Sequence, residues 1–205
     1  MMRTLAIECA TEACSVALFE GDDLLAGDHR VLGRGHAEHL VPMIAALPDK
    51  GRAARILVSR GPGSFTGVRI GLAVAGSLAV AWKAPVRGYP TLSLVGAMAL
   101  EEMDGADITV CMAGGHGEWF VQDFAAGGVP LTPLASLDPA AAAVRGASRQ
   151  IAGSRASDLA ALLEGDHRAL SLLPDARRVN ALAEGVTGGD TSPLYGRGPD
   201  ARLPA

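Results

Sequence analysis

The 205-residue sequence has little cysteine and little lysine. Its three cysteines, Cys9, Cys14 and Cys111, are an odd number, and none of their spacings resembles a pair of zinc ligands. Few cysteines favour a reduced, cytoplasmic setting over a disulfide-stapled scaffold. Only Lys50 and Lys83 are lysines, the arginines are scattered and the net charge is −4. The chain therefore lacks the clustered basic residues typical of a protein that binds nucleic acid directly.

Long apolar runs and catalytic motifs are also missing. No uninterrupted apolar run reaches the roughly 18 residues of a membrane span, and no signal peptide is evident at the start. The glycine-rich stretch 61–67 is not followed by the lysine of a Walker A loop, and Thr66 stands where a dinucleotide fingerprint needs its third glycine. Neither H-E-x-x-H nor G-x-S-x-G occurs. We expect no membrane span, no catalytic residues and no metal ligands.

What the sequence does contain is a regular alternation of apolar patterns. With 49% hydrophobic and 20% charged residues, the composition is that of a globular chain. Hydrophobic periodicity predicts strands at 4–9, 14–19, 24–32, 56–59, 85–88, 108–112, 119–124 and 150–152. It predicts helices at 35–47, 64–82, 92–103, 139–145, 156–163 and 178–184. We expect a domain boundary near Gly105, which separates residues 1–104 from residues 105–205, with a tail at 187–205 that returns to the first domain.

The helix after the glycine loop has two apolar stripes. Small residues form one stripe and bulky residues the other: Gly67, Gly71, Ala75 and Ala79, and Ile70, Val74, Leu78 and Trp82. An amphipathic surface helix has one apolar stripe, and each glycine inside a helix costs about 1 kcal/mol relative to alanine. Close packing can offset that cost, because small residues let another backbone approach. We therefore expect cover on both sides, by the chain's own sheet and by another helix, which can belong to another chain.

Two polar features allow more than one interpretation. Glu8 and Thr11, near the turn after the first strand, could face an anion held by the glycine loop, or could belong to a plain hairpin. His36 and His39 have a spacing that permits metal binding, but no third ligand accompanies them. Surface or interface histidines are the better explanation.

Four stretches of the sequence resemble the bacterial TsaB (YeaZ) family. They are LAIECATEACSVAL at 5–18, GHAEHLVPM at 35–43, GPGSFTGVRIG at 61–71 and PLYGRGPDA at 193–201. The resemblance is dense over residues 4–103, thin in the middle of the chain and present again at the end. The glycine-loop motif at 61–71 is its most specific part.

The resemblance implies an α/β protein with an actin-like ATPase (ASKHA) fold, in which two related domains have mixed sheets flanked by helices and the second domain is reduced. It implies a non-catalytic paralogue of the TsaD enzyme. Such a subunit binds a TsaD-type enzyme and, with a TsaE-type ATPase, supports transfer of threonylcarbamoyl to N6 of adenosine 37 in tRNAs that read ANN codons. It also implies a homodimer through the same surface, tRNA contact mainly through partners, and no required cofactor beyond weak ATP or ADP binding.

The resemblance also assigns residues. The partner surface lies on the two helices of the first domain and comprises His36, His39, Leu40, Met43, Gly67, Arg69, Ile70, Gly71, Val74, Ala75 and Leu78. A vestigial nucleotide or anion site comprises Glu8, Thr11, Gly61, Gly63 and Ser64. The chain departs from the family at Glu8, where aspartate is usual, and at 112–115, where an Asp-Ala-Arg stretch is usual. The alternative function is an autonomous ATPase or phosphotransferase of the same fold, and a metal-dependent peptidase ranks below it.

Overall fold

The fold is organised by two five-stranded sheets. The computed structural model describes residues 2–103 and 106–196. The strands of the first sheet are β1 (Arg3–Glu8), β2 (Ala13–Glu20), β3 (Asp23–Val31), β4 (Arg55–Ser59) and β5 (Val86–Tyr89). Those of the second sheet are β6 (Ile108–Ala113), β7 (Trp119–Phe124), β8 (Ala135–Leu137), β9 (Gln150–Ala152) and β10 (Arg168–Leu170).

Both sheets have the same topology. The first has the order β3-β2-β1-β4-β5 and the second the order β8-β7-β6-β9-β10. In each, a central strand pairs antiparallel with the next strand of a meander on one side, and parallel strands follow on the other. This doubled mixed sheet with flanking helices confirms the predicted actin-like fold. The second half keeps all five strands, and its reduction consists in shorter strands and helices.

In the part of the chain that the structure describes, five α-helices connect the strands. They are α1 (His36–Ala46), α2 (Phe65–Trp82), α3 (Thr91–Glu102), α4 (Pro139–Arg145) and α5 (Ala156–Leu162), and short 3-10 helices occupy Pro48–Gly51, Gly115–Gly117 and Ala176–Ala181. Side-chain caps fix two helix starts: Ser64 accepts a hydrogen bond from the Gly67 N–H at the start of α2, and Asp138 accepts one from Ala141 at the start of α4.

Side-chain alternation along the first sheet produces two cores. Leu5, Ile7 and Val16 point to one face, where α1 and α2 cover them. Ala6 and Phe19 point to the other face, where α3 and the 3-10 helix Ala176–Ala181 cover them. The helix α3 lies between the sheets, because its remaining apolar side chains pack on the core of the second half. The outer helices α1 and α2 are thus the elements of the first half that lack a second layer.

Some predicted elements differ from the observed ones. The strands β8 and β10, unlike the equally short β9, contain no buried residue, and they were not predicted. The last helix was predicted at 178–184, whereas the structure has a 3-10 helix at Ala176–Ala181, capped by Asp175. The boundary predicted near Gly105 falls on residues 104 and 105, outside the described residues. The division of the chain there stays a prediction.

The C-terminal tail runs along the first sheet. Gly188 exchanges two backbone hydrogen bonds with Gly88 next to the end of β5, and the Leu194 N–H donates to the Arg60 carbonyl over 2.7 Å. Arg60 and Asp190 form an ion pair. Residues 197–205, which include part of the family-like C-terminal motif, lie outside the described residues.

One helix has the length and the hydropathy of a membrane span. The helix α2 has 18 residues with a mean hydropathy of 1.5, so by length and composition it could cross a membrane, and only 22% of it is buried. Arg69 and the glycines do not lower its hydropathy enough to exclude this. The fold nevertheless gives α2 another place, because it connects β4 to β5, which are parallel neighbours of one sheet. Its composition reflects one face packed on that sheet and one apolar face turned outward.

Candidate interaction surface

The stripe of small residues on α2 faces the chain's own sheet. A Cβ atom added to Gly67 would lie 2.1 Å from the Cys9 carbonyl oxygen, and one added to Gly71 would lie 2.8 Å from Cys9 Sγ. Ala75 is completely buried. The prediction that Gly67, Gly71 and Ala75 touch a partner is therefore wrong. They bring α2 against β1. The sequence predicted that α2 is covered by its own sheet on one side and by another helix on the other, and this contact is the first of the two.

Three residues of α1 are buried in the same way. Leu40 and Met43 belong to the core under the helix, at 0% and 1% exposure. His36 is 7% exposed, and its Nε2 lies 3.2 Å from the carbonyl oxygen of Ala13 in β2. This contact takes the His36 ring nitrogen out of any surface role. The predicted interface residues Leu40, Met43 and His36 thus support α1 from below and do not lie on its surface.

The remaining predicted interface residues lie higher on the two helices. Arg69 is exposed, and His39, Ile70, Val74 and Leu78 are half-buried along the sides of α1 and α2. The two helices contact each other over the same face of the first sheet. Their solvent sides therefore form one continuous surface.

Apart from Arg69, the outermost residues of this surface were not among the predicted ones. They are Val41, Pro42 and Ala45 of α1 and Phe65, Arg69, Ala73, Gly76, Ser77 and Val80 of α2, which we call the outer helix face. Val80 is 83% exposed and Val41 is 53% exposed. At Gly76 an added Cβ would meet nothing within 4 Å. The centre of the outer helix face is thus flat, apolar and uncovered.

Such a surface suits the approach of another helix. Alanine, glycine and serine side chains allow axes to approach to the lower end of the roughly 8–10 Å range. Ser77 does not need an outside partner, because its Oγ donates to the Ala73 carbonyl over 2.9 Å. Interface cores are depleted of charged residues, and Arg69 is the only charged side chain of α2.

Arg69 marks the edge of the outer helix face and is held by two aromatic rings. Its guanidinium carbon lies 3.6 Å from the centre of the Phe65 ring, and its Nε donates to the Tyr195 Oη over 3.0 Å. The Phe65 and Tyr195 rings stack with centroids 5.5 Å apart. A residue of the tail thereby orders the first turn of α2 and orients its one charge.

The sequence contained a signal for the outer helix face. Ala73, Gly76, Ser77 and Val80 recur at helical spacing, as Gly67, Gly71 and Ala75 do. Two small-residue stripes on one helix leave open which one faces the sheet. The rotation of α2 decides this, and it follows from the Ser64 cap and from the contact of Gly67 with the end of β1.

The five residues of the predicted anion site lie close together, but their polar groups are bonded within the chain. They meet where β1 and β4 end side by side. The Gly61 and Ser64 N–H groups donate to Ser59 Oγ and to the Ala10 carbonyl, and the Thr11 hydroxyl accepts from Ala13. A Cβ on Gly63 would lie 1.9 Å from the Ala10 carbonyl oxygen, so this loop is packed on the hairpin. In this conformation the loop does not present these N–H groups to an anion.

Glu8 is sealed inside this arrangement. It is 0% exposed; its Oε1 accepts a hydrogen bond from the Ala10 N–H over 2.8 Å, and its Oε2 has no partner. Burial raises the pKa of Glu8 to about 7, and the hydrogen bond from Ala10 offsets only part of that rise. A carboxyl group in this position cannot reach a solvent-borne metal or phosphate without opening the hairpin.

The tail adds a further cover. A Cβ on Gly61 would lie 2.8 Å from the Leu194 carbonyl oxygen, and one on Gly88 would lie 2.5 Å from the Asp190 carbonyl oxygen. The tail backbone therefore passes directly over the glycine loop and the end of β5.

Within residues 2–103 and 106–196, no group of three or more His, Cys, Asp or Glu side chains is placed to hold a metal ion.

The comparisons with known proteins agree with this architecture. The family model for TsaD, tRNA N6-adenosine threonylcarbamoyltransferase, matches residues 30–179. The solved structure of YeaZ from Pseudomonas aeruginosa is 30% identical, with a TM-score of 0.78, over 95% of this chain and 100% of that one. A crystal structure of a protein with similarity to peptidase YEAZ from the same organism is 29% identical, with a TM-score of 0.81, over 96% of this chain and all of that one.

Among curated relatives, the tRNA threonylcarbamoyladenosine biosynthesis protein TsaB of Escherichia coli is 42% identical over 96 residues. That match covers 44% of this chain and 41% of the E. coli protein. A Buchnera aphidicola TsaB matches over 51% of its length, so the chain spans about half the length of the curated relatives it matches. The fold and the TsaD model define a protein of the actin-like, TsaD-related class. Within that class, the full-length match to YeaZ shows that the chain belongs to the TsaB (YeaZ) family, as its sequence motifs predicted.

Proposed function

We propose that this chain takes part in tRNA threonylcarbamoyladenosine synthesis as a non-catalytic subunit that binds a TsaD-type enzyme through the outer helix face. The observation that carries the proposal is the uncovered apolar surface of α1 and α2, whose most exposed valine is Val80. The relatives named for this pathway supply its context. The role is that of a binding partner, which stabilises the enzyme's competent state by preferential affinity for it.

The closed anion site favours a non-catalytic role. Glu8 is fully buried, and the glycine loop donates its hydrogen bonds to the chain itself. An autonomous ATPase or phosphotransferase needs an exposed acidic group to position a metal ion and free donors for phosphate. We therefore propose that the chain needs no cofactor of its own and that any ATP or ADP binding is weak.

A TsaD-type protein is the occupant we propose for the outer helix face, because the chain itself belongs to the TsaD-related class. We propose that the TsaD-type protein presents a helix pair like α1 and α2, so that the two surfaces pack as a four-helix layer. A second copy of this chain offers the same helices and is the competing occupant when the chain is alone. We propose a cytoplasmic location, a TsaE-type ATPase as a further member of the complex, and tRNA contact mainly through partners, in keeping with the net charge of −4.

The test uses size exclusion with light scattering on the chain alone and mixed with the TsaD-type protein of the same organism. We expect a one-to-one complex that replaces any homodimer. Val80→Glu places a carboxylate on the outer helix face and should weaken the complex about tenfold or more, because burying an unpaired charge is costly. The fold should tolerate the change, since Val80 is 83% exposed.

Val144→Glu is the matched control. Val144 is 90% exposed on α4, the helix of the second half that corresponds to α1. It should leave the complex unchanged. Equal binding by the wild type and Val80→Glu would remove the outer helix face as the contact. Failure of the wild-type chain to bind, even with the TsaE-type protein and ATP present, would overturn the partner role; ATP turnover by the chain alone, lost in Glu8→Ala, would then favour the ATPase alternative.

A further inference from the structure

Two buried thiols lie opposite each other at the end of the β1–β2 hairpin. The antiparallel register runs from Arg3 opposite Glu20 to Glu8 opposite Ser15. The same register, continued by one residue beyond Glu8 and Ser15, places Cys9 opposite Cys14. Residues directly opposite in such a pair have Cβ atoms about 4.5–5.5 Å apart, close to the separation that a disulfide spans.

The environment of the pair is enclosed. Cys9 is 2% exposed and Cys14 is 0% exposed, and both belong to the core under α1 and α2. Cys9 Sγ lies 3.5 Å from the Gly67 carbonyl oxygen, to which its thiol donates. Both cysteines are free thiols in this structure.

The two thiols interact, and the interaction makes them unequal. It lowers the pKa of Cys14, whereas the same interaction, together with burial, raises the pKa of Cys9 well above its ordinary value. The charges that face Cys14 are Glu8 and Asp28, which oppose ionisation, and Arg30, which favours it. Because the thiolate is the nucleophile, Cys14 is the more reactive sulfur and Cys9 keeps its proton.

Cys111 provides an internal comparison. It is also fully buried, but it lies on β6 opposite Val121. Burial raises the pKa of Cys111 to about 12. A thiol in that state is inert toward oxidants.

We propose that Cys9 and Cys14 are a dithiol site that a small peroxide oxidises to an intramolecular disulfide. The Cys14 thiolate attacks one oxygen of hydrogen peroxide; the O–O bond breaks, and a sulfenic acid and a hydroxide ion form. The Cys9 sulfur then attacks the sulfenic sulfur; the S–S bond forms and the S–O bond breaks. The leaving hydroxide takes the Cys9 proton, and the first hydroxide takes the proton that Cys14 had lost, so two thiols and one peroxide give one disulfide and two water molecules.

The disulfide acts on the start of α2. It removes the S–H group that donates to the Gly67 carbonyl in the first turn of this helix. It also constrains the turn between the two cysteines, where the Ala10 carbonyl accepts from the Ser64 N–H, the N-cap of α2. Oxidation should therefore change the protection of the first turn of α2 while the second half of the chain stays as it is.

The experiment titrates the reduced full chain with hydrogen peroxide at neutral pH, followed by denaturation, alkylation of free thiols and mass spectrometry. We expect two of the three cysteines to resist alkylation, a mass lower by two hydrogen atoms, a peptide cross-link between Cys9 and Cys14, and reversal by dithiothreitol. Hydrogen exchange should report the change in the first turn of α2. Cys111→Ser should behave like the wild type.

The single variants separate the two roles. Cys9→Ser should leave Cys14 to accumulate oxygen, because no second thiol resolves the sulfenic acid, and Cys14→Ser should leave Cys9 reduced. The proposal is overturned if all three cysteines stay alkylatable, if Cys14 is overoxidised while Cys9 remains free in the wild type, or if the only disulfides formed join two chains.

Discussion

The crossover connections of the two halves share an inner contact, and their helices differ on the outside. The helix α2 leads from β4 to β5, as α5 leads from β9 to β10. In each half a glycine of this connection lies against the central strand or the residue that follows it: an added Cβ would be 2.1 Å from the Cys9 carbonyl oxygen at Gly67 and 2.3 Å from the Cys111 carbonyl oxygen at Gly153. This inner contact belongs to the shared topology.

The outer sides of α2 and α5 differ in length and in charge. The helix α2 has 18 residues, with Arg69 as its only charge, whereas α5 has seven residues and carries Asp158, which pairs with Arg155 over 2.9 Å. Length and composition, and not strand order, therefore decide which half has an exposed apolar helix face. Since topology alone cannot distinguish them, the interaction role must be tested at individual positions.

The largest expected effect concerns the inner contact. Gly67→Ala should lower the free energy of unfolding by about 4 kcal/mol, at the upper end for overpacking, because the added methyl group meets a backbone carbonyl that cannot rotate away. Urea denaturation followed by circular dichroism measures it. Gly76→Ala on the outer side of α2 is the control and should stabilise the chain by up to about 1 kcal/mol, since its Cβ meets nothing and alanine favours helix. Similar effects of the two variants would show that the two sides of α2 are not different.

The next effect concerns the end of the central strand, where the first half has Glu8 and the second half has Ala113. Burial raises the pKa of Glu8 from 4.5 to about 7, so between these values the folded chain keeps a proton that the unfolded chain releases. The stability that Glu8 contributes is therefore complete below pH about 4.5 and falls by about 3 kcal/mol in total as the pH rises through about 7.

Glu8→Gln should remove this pH dependence, because glutamine has nearly the same shape and does not ionise. The difference between the free energies of unfolding at acidic and alkaline pH should shrink by about 3 kcal/mol relative to the wild type. Urea midpoints measured across that pH range decide the matter. Parallel curves for the two proteins would mean that the Glu8 carboxyl is hydrated or paired in solution.

The sequence predicted the long elements and missed features that depend on packing. Periodicity placed α2 and the strand pairs at the start of each half correctly, because apolar spacing in long segments reports directly on burial. It could not place β8 or β10, which are set by pairing with neighbours. At the candidate surface, Arg69 was predicted to face a partner, and its side chain is exposed. Gly71 and Leu40 were predicted to do the same, but they are buried beneath the two helices. The rotation of a helix about its axis depends on tertiary contacts, and the sequence of α2 fits both orientations.

The smallest effect concerns the tail, which joins the two halves that the other variants set apart. Tyr195 stacks on Phe65 and bonds Arg69 of α2, and the next residue, Gly196, lies so close to the Phe120 ring of β7 that an added Cβ would be 2.3 Å from it. Tyr195→Ala should lower the free energy of unfolding by only about 1 kcal/mol, because the stacked rings are partly exposed. The same variant should greatly increase the rate of proteolysis within residues 188–196, since the tail then loses its side-chain contacts with α2. Tyr195→Phe keeps the ring and is the control, with proteolysis close to the wild-type rate. If Tyr195→Ala left the tail as protected as before, its backbone pairing at Gly88 and the Arg60–Asp190 ion pair would suffice to hold the halves together, and the tail would not control the start of α2.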